Sequence, residues 1–229
     1  VVVDVALYGP EGFYTRGGGA GRERDFLTSP EVGTLFGAVV ARALDDAWEE
    51  HGRPDPWVVV EAGAGAGALA AAVLGARPAC CPALRYVAVE TSPALRRLAT
   101  ERLPIEEPAE LLAARQAAGI GPLFTVIGEL PAAPFDGVIL ANELLDNLPF
   151  DIYRGGDQGW AEVRVALGRG RASEGAGLTE VEVPADEAVA AHLGALAPHA
   201  GTVPWQAAAT AWLDRALGLV RRGRVIVVD

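Results

Sequence analysis

Residues 57–76 read WVVVEAGAGAGALAAAVLGA, and this stretch decides the fold. Its opening run, Trp57 to Glu61, is short and β-branched, with a glycine-rich turn behind it, which is the composition of a buried strand. Gly63, Gly65 and Gly67 follow in the turn. Glycine lets backbone approach a ligand closely, and a helix N-terminus behind such a turn presents free amide donors to a carboxylate or phosphate. The small residues of GALAAAVLGA suit a helix packed closely on a sheet. Strand, glycine turn and helix in that order open a Rossmann-like α/β unit.

Downstream the pattern repeats. LRYVAVE (Leu84 to Glu90) predicts a second buried strand, and Ser92 and Pro93 mark a helix through about Leu103, followed by a helix around Ala109 to Ala118. LFTVIG predicts a third strand and FDGVILAN (Phe135 to Asn142) a fourth, with ELLDNLP a turn or short helix at its carboxyl end. From Phe150 to about Pro184, AEVRVALG and LTEVEVP alternate as half-exposed strands do, so an antiparallel insertion is expected. A helix from about Trp205 to Val220 leads to a final strand, RVIVVD. Upstream, Val32, Leu35, Phe36, Val39, Val40, Ala43, Leu44 and Trp48 recur at helical spacing. Thr28 or Ser29 is positioned to cap that helix, with Pro30 in its first turn. The expected organisation is an N-terminal segment and helix forming a lid (1–56), a Rossmann-like core (57–149 and 204–229) and a β-rich insertion (150–203).

Composition narrows the function. A chain of 229 residues with 51% apolar residues is long enough to bury a substantial core. Its net charge of −11 argues against a phosphate-tracking nucleic-acid binder and tolerates a basic peptide or protein partner. No run is apolar for the roughly 18 residues a membrane helix needs, and the first residues lack the pattern of an export signal. The expectation is a cytoplasmic protein without membrane insertion. Cys80 and Cys81 are adjacent, which neither closes a useful loop nor gives zinc-site spacing. His51, His192 and His199 stand in contexts that suggest no role. All 19 basic residues are Arg, a bias of GC-rich bacterial genomes. The chain begins with Val, contains no Met and stops on a strand, so residues are expected to be missing at both ends.

The glycine turn alone leaves the cofactor open, because Gly63, Gly65 and Ala68 also satisfy the G-x-G-x-x-G/A dinucleotide fingerprint. Glu61 weighs against a pyrophosphate, which a carboxylate immediately before the turn would repel, and for an ammonium. S-adenosylmethionine carries an ammonium and a sulfonium. Glu90, ending the second strand, is placed to accept hydrogen bonds from both ribose hydroxyls, a role that an acid also plays in dinucleotide enzymes.

Several blocks in order resemble one family: ALYGPEGFY (Ala6 to Tyr14), DFLTSPEVGTLFG (Asp25 to Gly37), VVEAGAGAG, VAVETSPALR (Val87 to Arg96), ILANELLDNLPFD (Ile139 to Asp151) and the closing GRVIVVD. Together they resemble the MidA-like methyltransferases, which include the mitochondrial complex I assembly factor acting on arginine. The chain departs from that pattern at Ala66, where the family usually carries a bulkier residue, often Arg, and around Glu101 to Gly119. The family sequence also continues past Asp229. The resemblance implies a class I methyltransferase sheet with helices on both faces, S-adenosyl-L-methionine as cofactor and a protein acceptor, such as a respiratory complex I-type subunit. A homodimer stays open.

The expected cofactor set is Glu61, Gly63, Gly65, Gly67, Glu90, Thr91, Glu129, Asn142, Thr28 and Ser29. Methyl transfer is an in-line displacement that requires chiefly that nucleophile and methyl be held in register. A guanidinium has a pKa above about 12 and must be oriented and desolvated before it attacks, so carboxylates should surround it. Glu143 and Asp146, beyond the fourth strand, and Asp25 are the candidate catalytic acids. Tyr8 and Tyr14 are expected to anchor their glycine-rich segment to the core more than to pack on substrate. Two rival readings are a nicotinamide-dependent oxidoreductase and a non-catalytic assembly protein that retains the cofactor pocket.

Overall fold

The structure, a computed structural model, describes residues 2–16, 18, 33–106, 118–168, 177–196 and 201–229. In chain order the elements are α1 (Val2–Tyr8), α2 (Thr34–Glu50), β1 (Trp57–Ala62), α3 (Ala68–Gly75), β2 (Leu84–Val89), α4 (Pro93–Arg102), β3 (Leu123–Ile127), β4 (Phe135–Asn142), β5 (Asp151–Gly156), β6 (Gly159–Leu167), β7 (Leu178–Pro184), α5 (Glu187–Leu196), β8 (Gly201–Trp205), α6 (Ala207–Leu219) and β9 (Val220–Val228). They divide into two compact units, one of Asp4–Asn147 with Ala211–Asp229 and a smaller one built on Leu148–Thr210.

The larger unit holds a five-stranded sheet in the order β3-β2-β1-β4-β9, every pairing parallel. Parallel strands need crossover connections that cover both faces, so their side chains are apolar in both directions. Trp57 and Val59 of β1 point to one layer with Leu84, Tyr86 and Ala88 of β2 and Val138 and Leu140 of β4. They meet Val40, Ala41, Leu44 and Ala47 of α2 and Leu69, Ala70 and Val73 of α3. The intervening residues Val60, Ala62, Val87, Val89 and Ile139 point the other way, against Trp212, Ala216 and Leu219 of α6. Helices thus lie on both faces, as the resemblance implies. Where α2 meets α3, a Cβ added at Gly37 would run into Ala72, so only glycine permits that approach.

Strand positions follow the sequence reading closely, but the helix expected from Thr28 onward differs. Its described part begins at Thr34 behind Gly33, which makes no side-chain cap, and Thr28, Ser29 and Pro30 lie outside the described residues. Most of the helix expected at Ala109 to Ala118 also lies outside them. The final strand starts earlier than RVIVVD suggests, at Val220, and pairs with β4 through Val228.

The smaller unit is antiparallel, in the order β7-β6-β5-β8. It also contains α5, which alternation could not reveal because its Ala-rich sequence buries chiefly Leu193. Tyr153 meets Trp205 edge-on at 6.4 Å, and His192 packs against the same indole at 5.1 Å, so this histidine serves packing. Among the described residues no helix is long and apolar enough to cross a membrane, and no cluster of His, Cys, Asp or Glu could hold a metal.

One carboxylate interrupts the core. Glu61 of β1 is 4% exposed, and its Oε2 accepts a hydrogen bond of 2.7 Å from the hydroxyl of Tyr86, one strand away. Burial pushes its pKa up from an ordinary 4.5 to about 7, although Tyr86 and the Ala70 amide both favour the charged form. A carboxyl whose native pKa exceeds its unfolded value is held protonated by folding, so its burial costs least at low pH and most above pH 7. Between about pH 4.5 and 7 the native state binds the extra proton and stability falls as pH rises. Denaturant unfolding of Glu61→Gln, which stays neutral, should therefore gain on wild type from pH 5 to pH 8, by on the order of 3 kcal/mol at most. Parallel pH profiles of the two proteins would refute this account of Glu61.

Candidate cofactor and acceptor site

In the five-stranded sheet the chain runs from β1 outward to β2 and β3, then returns to place β4 on the opposite side of β1. Ligands of open α/β sheets gather at such a reversal, beyond the carboxyl ends of the strands. The glycine turn occupies this position. The amides of Gly63 and Ala64 both donate to the carbonyl of Val89, at 2.9 and 3.0 Å, which ties the turn to the end of β2. Gly63, Gly65 and Gly67 have φ of +71°, +54° and +76°, the left-handed region that favours glycine. Gly67 is the N-cap of α3 and offers no side chain to its amides. A Cβ added at Gly65 would meet nothing within 4 Å, so the turn presents bare backbone to open space.

Glu90 closes the turn from the other side. Its Oε2 accepts from the Gly65 amide at 2.9 Å and its Oε1 from the Ser92 amide at 2.8 Å, while Arg96 donates to its backbone carbonyl at 2.6 Å. Burial raises its pKa; the two amides and Arg96 oppose the shift. An ionised carboxylate has about four lone-pair sites. Each oxygen therefore keeps one for a further donor, which suits the pair of vicinal hydroxyls of a ribose.

Glu61 sits beneath the turn rather than beside it. The expectation that it faces an ammonium meets a carboxylate enclosed between sheet and α3, with Tyr86 and the Ala70 amide as its partners. The sequence reading missed Tyr86, although its period-2 position on β2 puts it on the same layer as residue 61 of the paired strand.

Beyond β4 the backbone turns sharply. Glu143 has φ +53°, rare for a residue with a side chain, and its amide donates to Val228 of β9 at 2.8 Å. A short 3-10 turn, Leu145–Asn147, follows. Glu143 and Asp146 are both exposed at this end of the sheet, while the Oδ1 of Asn142 is buried without a partner among the described residues. Such an acceptor invites a donor.

Tyr8 and Tyr14 reach this turn from the N-terminal segment. Their rings stack 5.5 Å apart; the Tyr8 hydroxyl donates to the Asn147 carbonyl at 2.8 Å and the Tyr14 hydroxyl to Asn147 Oδ1 at 2.6 Å. The Tyr14 carbonyl accepts from Ser92 Oγ at 2.8 Å. Burial, then Tyr14 and the carboxylates Glu90, Asp4 and Asp146, push the Tyr8 phenol up to about 12. The tyrosines thus anchor their segment, as expected, but on a residue, Asn147, that sequence alone gave no reason to choose. Thr91 is exposed and contributes its carbonyl to Arg96 at 2.9 Å, and Glu129 is exposed after β3. Asp25, Thr28 and Ser29 lie outside the described residues.

Known proteins resemble this chain in sequence and fold. A crystal structure of a Burkholderia thailandensis protein bound to S-adenosyl-homocysteine superposes with a TM-score of 0.77 at 28% identity, covering 99% of this chain and 56% of that one. A native crystal structure from the same organism gives 0.74 at 27% identity, with 99% and 54% covered. The mouse protein arginine methyltransferase NDUFAF7, mitochondrial, is 29% identical over 167 residues, 68% of this chain and 38% of the mouse protein. The Drosophila melanogaster homologue is 44% identical over 63 residues, 28% of this chain and 14% of the fly protein. The chain therefore spans about half or less of the length of these relatives. Residues 39–229 match a family model, and the chain belongs to that family, described as "Putative S-adenosyl-L-methionine-dependent methyltransferase".

Proposed function

We propose that the protein to which this chain belongs is an S-adenosylmethionine-dependent methyltransferase acting on an arginine of a protein acceptor. The observation that carries the reading is the Glu90 carboxylate bonded to the Gly65 amide at the reversal of strand order. The family description and the S-adenosyl-homocysteine in the Burkholderia relative support the methyl donor over a nicotinamide cofactor. Arginine rests on the mouse and fly relatives, which are named protein arginine methyltransferases, and on the acids beyond β4.

In this reading Glu90 takes the ribose hydroxyls, and the bare backbone of Gly63, Gly65 and Gly67 lets the ligand approach the N-terminus of α3. Asn142 offers its unpaired Oδ1 to a donor on the ligand. Thr91 and Glu129 border the nucleoside, and Thr28 and Ser29 are assigned to the same ligand on sequence grounds alone, as is Asp25 to the acceptor. Glu61 acts from beneath, fixing α3 and the turn. When bound, S-adenosylmethionine supplies a methyl activated by its sulfonium. Glu143 and Asp146 grip the guanidinium by charge-assisted hydrogen bonds, which orient it and replace its lost water.

Calorimetry with S-adenosylmethionine, S-adenosyl-homocysteine and NADH tests the cofactor: the two adenosyl ligands should bind, and binding of NADH alone would sink the assignment. Gly65→Val fills the open space over the turn at a backbone cost of about 1–2 kcal/mol, so it should leave a folded protein that no longer binds. Normal binding by that variant would mean the turn does not cradle the ligand.

For the acceptor, Glu143→Gln should lower methylation of lysate arginine about tenfold or more, since a hydrogen bond to a charged group is worth roughly 1.5–3 kcal/mol. Its affinity for S-adenosyl-homocysteine should stay near that of wild type. Methyl label recovered only on carboxylates or small molecules would remove arginine while leaving the cofactor site intact.

A further inference from the structure

Asn147 is heavily engaged beyond β4, and anchoring the two tyrosines accounts for only part of its bonding. Its Nδ2 donates to the Glu143 carbonyl and to Asp146 Oδ1, each at 2.9 Å. Its Oδ1 takes the Tyr14 hydroxyl, its carbonyl takes the Tyr8 hydroxyl, and its amide donates to the Leu144 carbonyl at 3.1 Å. The first of these bonds spans a backbone held at φ +53° at Glu143, so the side chain pins the unusual conformation from which both acids project. The second fixes the direction of the Asp146 carboxylate, which is otherwise exposed and free to rotate.

From Asn147 a continuous path leads through the Tyr14 hydroxyl and carbonyl to Ser92 Oγ, and through the Ser92 amide to Glu90. We propose that Asn147 is a positioning residue that aims Asp146 at the acceptor, and that Tyr14 latches it to the cofactor side of the crevice. This rests on the reading that Asp146 grips the acceptor's guanidinium.

The test is a set of coupled variants of the full chain. Two quantities are measured: initial methyl incorporation into lysate arginine at saturating S-adenosylmethionine, and S-adenosyl-homocysteine affinity by calorimetry. Asn147→Asp keeps an oxygen for Tyr14 but removes the donor to Glu143 and Asp146. If Asn147 served only as an anchor for the tyrosines, this variant would rescue it. Instead it should slow methylation about tenfold while shifting affinity less than about twofold.

In an Asp146→Asn background the same substitution should cost less than about twofold, because the carboxylate it aims is gone. Tyr14→Phe, which keeps the ring stack, should slow methylation about threefold in the wild-type background and not in Asp146→Asn. It carries the test if Asn147→Asp does not fold. Equal losses in both backgrounds, or a loss of affinity matching the loss of rate, would overturn the positioning role alone. A wild-type protein that binds S-adenosyl-homocysteine but labels no arginine would overturn this role together with the acceptor reading.

Discussion

The larger unit is organised around a carboxylate that water barely reaches. Glu90 is 8% exposed, and burial alone would drive it toward the neutral form, yet it accepts two backbone amides. Those bonds are what make the buried site tolerable, and they also fix the geometry around it. The Gly65 amide sets the tip of the glycine turn, and the Ser92 amide sets the start of α4, whose first turn Ser92 Oγ then caps through the Leu95 amide at 3.4 Å. Two loops from different crossovers are thereby locked to one side chain at the place where the strand order reverses.

A second acid, Glu61, lies below the same turn, where burial favours its protonated form. Its neighbours are a phenol and a helix amide instead of two loop amides. The two carboxylates repel one another weakly, and Glu90 is among the causes that raise Glu61.

Much of this is legible in the sequence because doubly buried strands and glycine turns leave strong local signals. Trp57 to Ala62 alternates between two apolar layers, and three glycines at left-handed φ cannot be replaced without strain. Glu90 is legible from its place at a strand end. Tyr86 is legible only in part, since period-2 alternation gives its layer but not its partner, and Asn147 is not, since a hydrogen bond between residues 133 positions apart has no footprint in local periodicity. The start of α2 is a separate matter: the described helix begins behind Gly33 with no side-chain cap, and Thr28, Ser29 and Pro30 lie outside the described residues. α5 escapes notice because a helix that buries chiefly one leucine needs no apolar stripe.

The smaller unit interrupts the parallel sheet between β4 and β9, yet it returns the chain to where it left. Asp151 at the start of β5 is paired with Trp205 at the end of β8. Closing the β4–β9 pairing across the whole insertion as unstructured chain would carry the entropy of a long loop. Once the antiparallel strands have formed, only residues 143–150 on one side of the Asp151–Trp205 pair and residue 206 on the other separate the insertion from β4 and α6. The same pairing means that strands lengthened or loops grown beyond it leave unaltered the span that the sheet must close between β4 and β9.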